Sequence, residues 1–323
     1  MDTVPFSCNI DSSEQGLIDI VVVNWNAGRQ LRICVDSVAQ YGCGLIRQTI
    51  VADNGSTDGS DGSVEVMPDV RLIRAGANLG FARACNLGAQ QTEGEYLLFL
   101  NPDAALYADT LPKVMAYMQA PENAAVGICG VQLLDEAGHV SRSCARFPTA
   151  LGFVSHAAGL SRLFPRLGYF MAEWDHAQTR RVDHVIGAFF LVRREVFEAL
   201  GGFDERFFVY LEDLDFSLRA HQAGWSSVFL AEAQAFHAGG GTSNQVKARR
   251  LFYSLRSRLL YAFKHFSRSG ALVVLLATLL LEPLSRSVLA LLRRSWSAMK
   301  ETWVAYGMLW RWLPQWVFKR VTR

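Results

Sequence analysis

The sequence predicts an α/β fold, a mostly parallel, doubly wound sheet with flanking helices, followed by a helical tail that is both basic and apolar. Short, nearly continuous apolar runs of strand length alternate with helical stretches, and turn-forming polar loops follow the carboxyl ends of those runs. Such βα alternation buries a sheet on both faces and leaves its ligands beyond the carboxyl ends of the strands. The tail is marked by charge: residues 246–323 hold 15 Lys+Arg against only Glu282 and Glu301, a balance of +13, whereas the preceding 245 residues carry −11. The net charge of +2 conceals this division.

The elements follow in order. Ile18 to Val23 (IDIVVV) reads as a buried parallel strand, Arg29 to Gln40 as a helix, and Gln48 to Ala52 as a second strand ending at Asp53. The loop Asn54 to Ser60 is rich in turn formers. Val70 to Ile73 is a third strand, Phe81 to Gln91 a helix, and Tyr96 to Leu100 a fourth strand ending at Asn101-Pro102-Asp103. We expect three regions: a flexible N-terminus over 1–17, a catalytic-sized body over 18–245, and the tail over 246–323.

With 323 residues, 50% of them hydrophobic, the chain buries a full core and is neither disordered nor fibrous. Its six cysteines are scattered and show no CxxC pair or zinc-type spacing, a pattern of reduced thiols in the cytosol. Met1 to Gln15 contains no Lys or Arg and no apolar core, so no secretory signal is expected there.

Three polar segments fall at strand ends, and each has an ordinary reading. Asn24-Trp25-Asn26 and Asp53-Asn54-Gly55-Ser56 are also what turns and helix caps look like. No GxGxxG follows the first strand, which argues against a dehydrogenase-type dinucleotide fold. A free carboxylate at Asp53 is instead suited to accept the imide N–H of uracil or thymine. Asp103 emerges directly after the apolar run Leu97 to Leu100, where one or two carboxylates plus substrate phosphates suffice to hold Mg2+ or Mn2+. A fourth cluster is Glu212, Asp213 and Asp215 within Phe207 to Phe216: three acids among large apolar groups. Its bland reading is the acidic first turn of an amphipathic helix; its functional reading is a site of shifted pKa values.

Taken in order, VVNWN (22–26), DNGSTD (53–58), NLGFARACNLG (78–88), NPD (101–103), GAFF (187–190), GGFDE (201–205) and ED (212–213) resemble family 2 glycosyltransferases of the GT-A fold, and among them the rhamnosyltransferase-like branch. The resemblance runs from Ile18 to Ser243, about seven-tenths of the chain. It implies an inverting, metal-dependent enzyme. Asp213 would be the base that deprotonates the acceptor hydroxyl, with Glu212 as the fallback and Asp215 orienting the acceptor or a neighbouring cation. Asn24, Asn26, Asp53, Asn54, Arg83, Asn86, Asn101 and Asp103 would hold the nucleotide sugar, and Gly187 and Ala188 would line the sugar pocket. Asp103 stands at the metal position of the family's DxD motif, while Asn101 replaces its first aspartate, a departure from the pattern. His237, with the glycines and Ser243 that follow, is similar to the family histidine that joins the metal shell.

The tail adds a membrane expectation. Gly270 to Leu281 is uncharged and mostly apolar but, at about a dozen residues closed by Glu282-Pro283, is short of the ~20 that span a bilayer. Trp296, Trp303, Trp310, Trp312 and Trp316 mix with Arg and Lys as in an interfacial helix. A structural cap or a homo-oligomer interface is the competing reading; nucleic-acid binding is not expected. Together these features predict a non-processive enzyme, peripheral on the cytoplasmic face of the bacterial plasma membrane. It would move a sugar such as L-rhamnose from a dTDP or UDP donor to a glycan or polyprenyl-linked acceptor bound for the cell surface. The alternative is a non-catalytic nucleotide-sugar-binding or membrane-scaffolding protein in which Asn101 marks lost chemistry.

Overall fold

The computed structural model describes residues 17–42, 44–239 and 246–319. Strand β1 (Ile18–Asn24) is buried along its whole length, as a central parallel strand must be. Helix α1 (Arg29–Tyr41) turns Leu31, Cys34, Val35 and Val38 into the core, the i, i+3, i+4, i+7 stripe of a helix lying on a sheet. β2 (Ile46–Asp53), α2 (Gly62–Glu65), β3 (Val70–Arg74), α3 (Phe81–Ala89) and β4 (Tyr96–Leu100) follow, all but the single-turn α2, which was not expected, within a few residues of their expected bounds. β5 (Ala104–Leu106), α4 (Thr110–Gln119), β6 (Val126–Leu134), β7 (Cys144–Ala145) and α5 (Ala150–Ala157) lead to β8 (Arg180–Val182), β9 (His184–Val185), β10 (Phe189–Arg193) and α6 (Arg194–Ala199). α7 (Glu212–Gln222), β11 (Ser226–His237), α8 (Lys247–His265), α9 (Arg268–Leu276), α10 (Glu282–Leu292) and α11 (Trp296–Lys319) complete the chain.

The main sheet runs in the order β3-β2-β1-β4-β10-β6-β11-β5, with β8 beside β11. β1 to β4 are mutually parallel; β10 enters antiparallel between β4 and β6, and β11 again runs parallel to β6. Asp19, fully buried in β1, is the one acid in that strand, and it is tolerated because Arg47 and the backbone N–H groups of Glu93 and Gly94 satisfy it. It sits at the end of β1 away from Asn24 and is structural.

Two expectations about the tail are corrected. The apolar segment does not close at Glu282-Pro283. A wide π-helical turn (Ala277–Leu281) joins α9 to α10, and Pro283 falls in the first turn of α10, where a missing N–H costs little. Arg268–Leu292 is thus 25 helical residues, with a mean hydropathy of 1.8 in its most apolar stretch, long and apolar enough to cross a membrane by length and composition alone. Nor is the tail a separate module. Leu255, Leu259, Tyr261, Tyr306 and Leu309 share one buried cluster with Phe207 and Leu214 of the body. Buried Arg258 of α8 pairs with Glu282, which also binds Arg286, and despite burial these two guanidiniums hold the Glu282 carboxyl down at about 2.

Candidate functional site

The carboxyl ends of β1 and β2 lie side by side, Asn24 opposite Asp53. The buried Asn24 amide donates to Asp53 Oδ1 at 2.8 Å and to the Ser60 hydroxyl at 2.8 Å. Asp53 Oδ2 accepts the backbone N–H of Gly55 and of Ser56, both at 3.2 Å. The carboxylate expected to be free is therefore already a turn organiser; with about four acceptor positions and three taken, it retains room for one more donor. Asn26, in a left-handed conformation (φ 52°), receives the Thr57 N–H at 2.7 Å on its side-chain oxygen. Asn54 holds the next loop, accepting the Leu79 N–H at 2.7 Å and donating to the Gly80 carbonyl at 3.2 Å.

Gly80 is required where it stands. Its φ is +88°, and a Cβ there would meet the Phe208 carbonyl oxygen at 2.4 Å. That contact lets Phe81 N–H donate to the same carbonyl at 2.6 Å, so the loop before α3 is docked on the segment that leads into α7. Arg83 and Asn86 share a face of α3 as expected, and both have partners within the protein. Asn86 spends its amide on both backbone groups of Phe203, at 2.8 and 2.9 Å, and Arg83 faces Glu205 at 3.7 Å. These side chains position the Gly201–Glu205 loop.

Beyond β4, Asp103 lies next to His237 at the end of β11, with Nε2 3.3 Å from Oδ1. The pairing of β5 with β11 sets His237 opposite Ala104 and so makes the meeting of residues 134 apart a matter of sheet register. One carboxylate and one imidazole, both partly open to solvent, suit a divalent cation whose remaining ligands are phosphate oxygens and water. Among the described residues, no group of three or more His, Cys, Asp and Glu side chains converges as a metal cage. Ser243 and the glycines before it, expected to face a diphosphate, lie outside the described residues.

Gly187 and Ala188 tie this end of the site to the acidic helix. Ala188 carbonyl accepts the Asn101 N–H at 3.0 Å, and one residue earlier the Gly187 N–H donates to Asp213 Oδ2 at 2.8 Å. Asp213 opens α7 after two successive non-glycine residues in the left-handed region, Tyr210 (φ 69°) and Leu211 (φ 66°). Such a pair is costly, of order 1–3 kcal/mol per residue, and aims the first turn of the helix at the Gly187 N–H. His184 places Nε2 3.6 Å from Asp213 Oδ2 and hydrogen-bonds Ser217 through Nδ1 at 3.1 Å. Burial, more than the opposing pull of Asp213 and Asp183, lowers its pKa and keeps the ring neutral.

Glu212 differs from its neighbour. It is buried, Oε2 has no hydrogen-bond partner, and burial first, then Asp213 and Asp215, raises its pKa well above the ordinary value. A raised pKa makes the carboxyl hold its proton to higher pH, which sets Glu212 behind Asp213 as the base. Because the folded protein binds this proton more tightly than the unfolded chain does, stability falls as pH climbs above the ordinary value of 4.5. Glu212→Gln is expected to raise the melting temperature at about pH 8 and to lose that advantage near about pH 4; a variant less stable than wild type at both would disprove the protonated assignment.

Asp215, expected to orient the acceptor or a neighbouring cation, faces cations of the protein itself. Its fully buried carboxylate binds Arg219 at 2.8 Å, Lys264 at 2.6 Å and His265 at 2.7 Å. Burial pushes its pKa up, but the bond from His265 and the charges of Arg219 and Lys264 outweigh it, and the net shift is downward. Lys264 also reaches Asp204 at 2.7 Å, the Ser257 hydroxyl donates to the Val209 carbonyl at 2.8 Å, and Tyr253 stacks on Phe208 at 4.5 Å. α8 thus grips the Phe207–Leu211 segment and α7 together. No local pattern signals these contacts, since they join residues about 50 apart across a packed interface.

Known proteins resemble this chain in sequence and in fold. Residues 19–201 match the model of Glycosyl transferase family 2. An N-acetylglucosaminyl-diphospho-decaprenol L-rhamnosyltransferase of Mycobacterium tuberculosis is 33% identical over 204 residues, 58% of this chain; the match spans 65% of that relative, just under two thirds of its length. Rhamnosyltransferase WbbL of Escherichia coli K12 is 33% identical over 149 residues, 45% of this chain and 52% of that protein. A mannosyltransferase of Pyrobaculum calidifontis, solved with GDP-Man and Mn2+, superposes with a TM-score of 0.55 at 17% identity, covering 92% of this chain and 87% of that one, a likeness of fold and of the GT-A type. The matched span exceeds half of the sequence and its strand ends carry the polar groups described above: the chain belongs to glycosyl transferase family 2.

Proposed function

We propose that the protein is an inverting, non-processive glycosyltransferase that moves a single sugar, L-rhamnose by similarity to its relatives, from a dTDP or UDP donor to a lipid-linked glycan precursor at a membrane surface. The reading rests on one connection above all: consecutive residues Ala188 and Gly187 join the Asn101–Asp103 strand end to the Asp213 carboxylate, so a diphosphate beside Asp103 and a hydroxyl beside Asp213 are neighbours.

In the reaction, the acceptor oxygen bonds to C1 of the sugar as the bond from C1 to the nucleoside diphosphate breaks, and the hydroxyl proton passes to Asp213. The Gly187 N–H holds Asp213 Oδ2 in place, and neutral His184 sits beside that oxygen without neutralising it. Asp53 receives the base imide N–H with its remaining acceptor capacity. Asp103 and His237 would hold the Mg2+ or Mn2+ ion, which supplies charge neutralisation for the departing diphosphate when bound. α9 to α11 supply the membrane contact, lying along the surface: a helix whose Glu282 and Arg286 are committed to buried Arg258 is anchored sideways to the body.

The proposal is tested by measuring donor binding and sugar transfer with purified protein across a panel of nucleotide sugars. Asp103→Ala and His237→Ala are each expected to weaken Mn2+-dependent donor binding by about tenfold or more, in line with the loss of one metal ligand or its support. Transfer by the wild type that is indifferent to EDTA would remove the metal from the scheme. Donor binding without transfer or hydrolysis under any condition would favour the scaffolding alternative that Asn101 suggests.

A further inference from the structure

We infer that the 160–167 segment of the body is a second lipid-contacting element, which seats the protein on an anionic bilayer jointly with α9 and α10. This deepens the membrane-surface part of the proposed function and rests on it. Exposed large hydrophobic side chains are distributed very unevenly. Among the described residues there are 26, and only Ile33, Val66, Tyr107 and Val140 lie outside 151–170 and 263–318. Monomeric surfaces seldom concentrate apolar groups so strongly unless the surface has an occupant.

The two regions are more than 100 residues apart and yet form one face. α5 packs on α9 and on the π-helical turn, and the Ser285 hydroxyl of α10 donates to the Ala157 carbonyl at the end of α5 at 2.6 Å. After α5, Gly159 (φ 77°) turns the chain into two short 3₁₀ turns, 160–162 and 165–167. Backbone bonds hold this knuckle: Phe164 N–H to the Leu160 carbonyl and Leu167 N–H to the Phe164 carbonyl, both 2.9 Å. At its tip Leu163 is 75% and Phe164 59% exposed. An ordered loop that spends its hydrogen bonds internally and turns Leu and Phe outward is built to insert, not to complete the core.

Charge identifies the occupant. Arg162 of the knuckle lies close enough to Arg286 and Arg293 of α10 that, after its own partial burial, their positive fields are what lower its pKa. The acid between them, Glu282, is already bound by Arg258 and Arg286. The surplus is positive, beside exposed Leu284, Val288 and Leu291, which form an i, i+4, i+7 stripe on α10. Exposed apolar side chains beside a surplus of guanidinium groups match acyl chains under anionic headgroups. Trp296, 76% exposed at the start of α11, extends the face with the residue type that favours headgroup depth. One helix lying in a bilayer surface leaves the body free to roll about the helix axis. A knuckle beside it removes that freedom and fixes the tilt at which the Asp213 side of the body meets the membrane.

The experiment is sedimentation of the full-length protein with phosphatidylcholine vesicles and with vesicles containing phosphatidylglycerol. Leu163→Ser combined with Phe164→Ser is expected to weaken binding to the anionic vesicles at least tenfold, from the apolar area withdrawn, with an unchanged melting curve. Val66→Ser, at an equally exposed apolar site away from this face, is expected to bind as wild type does. Wild-type sedimentation with a double variant that binds within twofold of it overturns the knuckle and leaves α9 and α10 as the contact. Failure of the wild type to sediment with either vesicle overturns the membrane reading as a whole. Dimerisation of the wild type that the double variant abolishes, without vesicle binding, assigns the face to a second copy of the chain and also overturns the inference.

Discussion

Asp213→Asn is expected to lower the rate of sugar transfer by about 10²-fold or more while leaving donor affinity close to wild type. The substitution is chosen for what it preserves. An asparagine oxygen still accepts the Gly187 N–H that Oδ2 accepts at 2.8 Å, so the first turn of α7 stays where it is. What is lost is the capacity to take a proton. The loss should fall on kcat and not on the donor KM, because the step removed is made only as the acceptor attacks. Glu212→Gln provides the contrast: a carboxyl whose pKa is raised is expected to lose less on becoming an amide. Wild-type turnover in Asp213→Asn would take Asp213 out of the mechanism. Comparable loss in both variants would mean that the two acids act as one coupled pair.

Asp215→Ala should be the most destabilising single change near the site, by about 3–5 kcal/mol, because it leaves Arg219, Lys264 and His265 turned toward a buried position with no carboxylate to meet them. The sign of its pH dependence follows from the lowered pKa. A carboxylate depressed in the folded state stabilises the protein above its ordinary value of 3.8, and that contribution disappears as pH falls through the folded value. The gap in melting temperature between wild type and Asp215→Ala should therefore be full at neutral pH and narrow in acid. Lys264→Met leaves Asp215 two partners and should cost less. If Asp215→Ala unfolds within about 1 kcal/mol of wild type in urea, α8 does not hold α7 through this network.

Much of the site was legible because its chemistry is local in sequence. Asn24, Asp53 and Asp103 each follow an apolar strand, and parallel strands deliver their carboxyl ends to one edge whatever the remaining contacts are. The acidic start of α7 was legible too, and the family resemblance ranked Asp213 before Glu212, but the residues themselves give no physical ground for that order. Glu212 and Asp213 are adjacent in sequence and chemically alike; only the packing that buries Glu212 without a partner and leaves Asp213 against the Gly187 N–H tells them apart. Asn86 and Asp215 show the same limit. A side chain's partners lie on other elements, and a motif records the residue but not what it faces.

The tail shows where that line falls. Composition alone established that residues 246–323 are basic, apolar and tryptophan-rich, since charge and hydropathy are properties of the residues themselves. The apparent stop at Glu282-Pro283 was settled by conformation: a π-helical turn carries the helix past the proline, and the Tyr306 hydroxyl caps the Thr278 carbonyl inside it at 2.9 Å. Whether the tail hangs free or packs on the body was decided by packing. Lys264, His265 and Ser257 reach the Val209–Asp215 segment only because α8 buries Leu255, Leu259 and Tyr261 against Phe207 and Leu214. The sequence by itself determines which residues seek an apolar or a charged partner, and the tertiary structure decides which partner they find, because burial and desolvation depend on everything packed around a group and not on its neighbours in the chain.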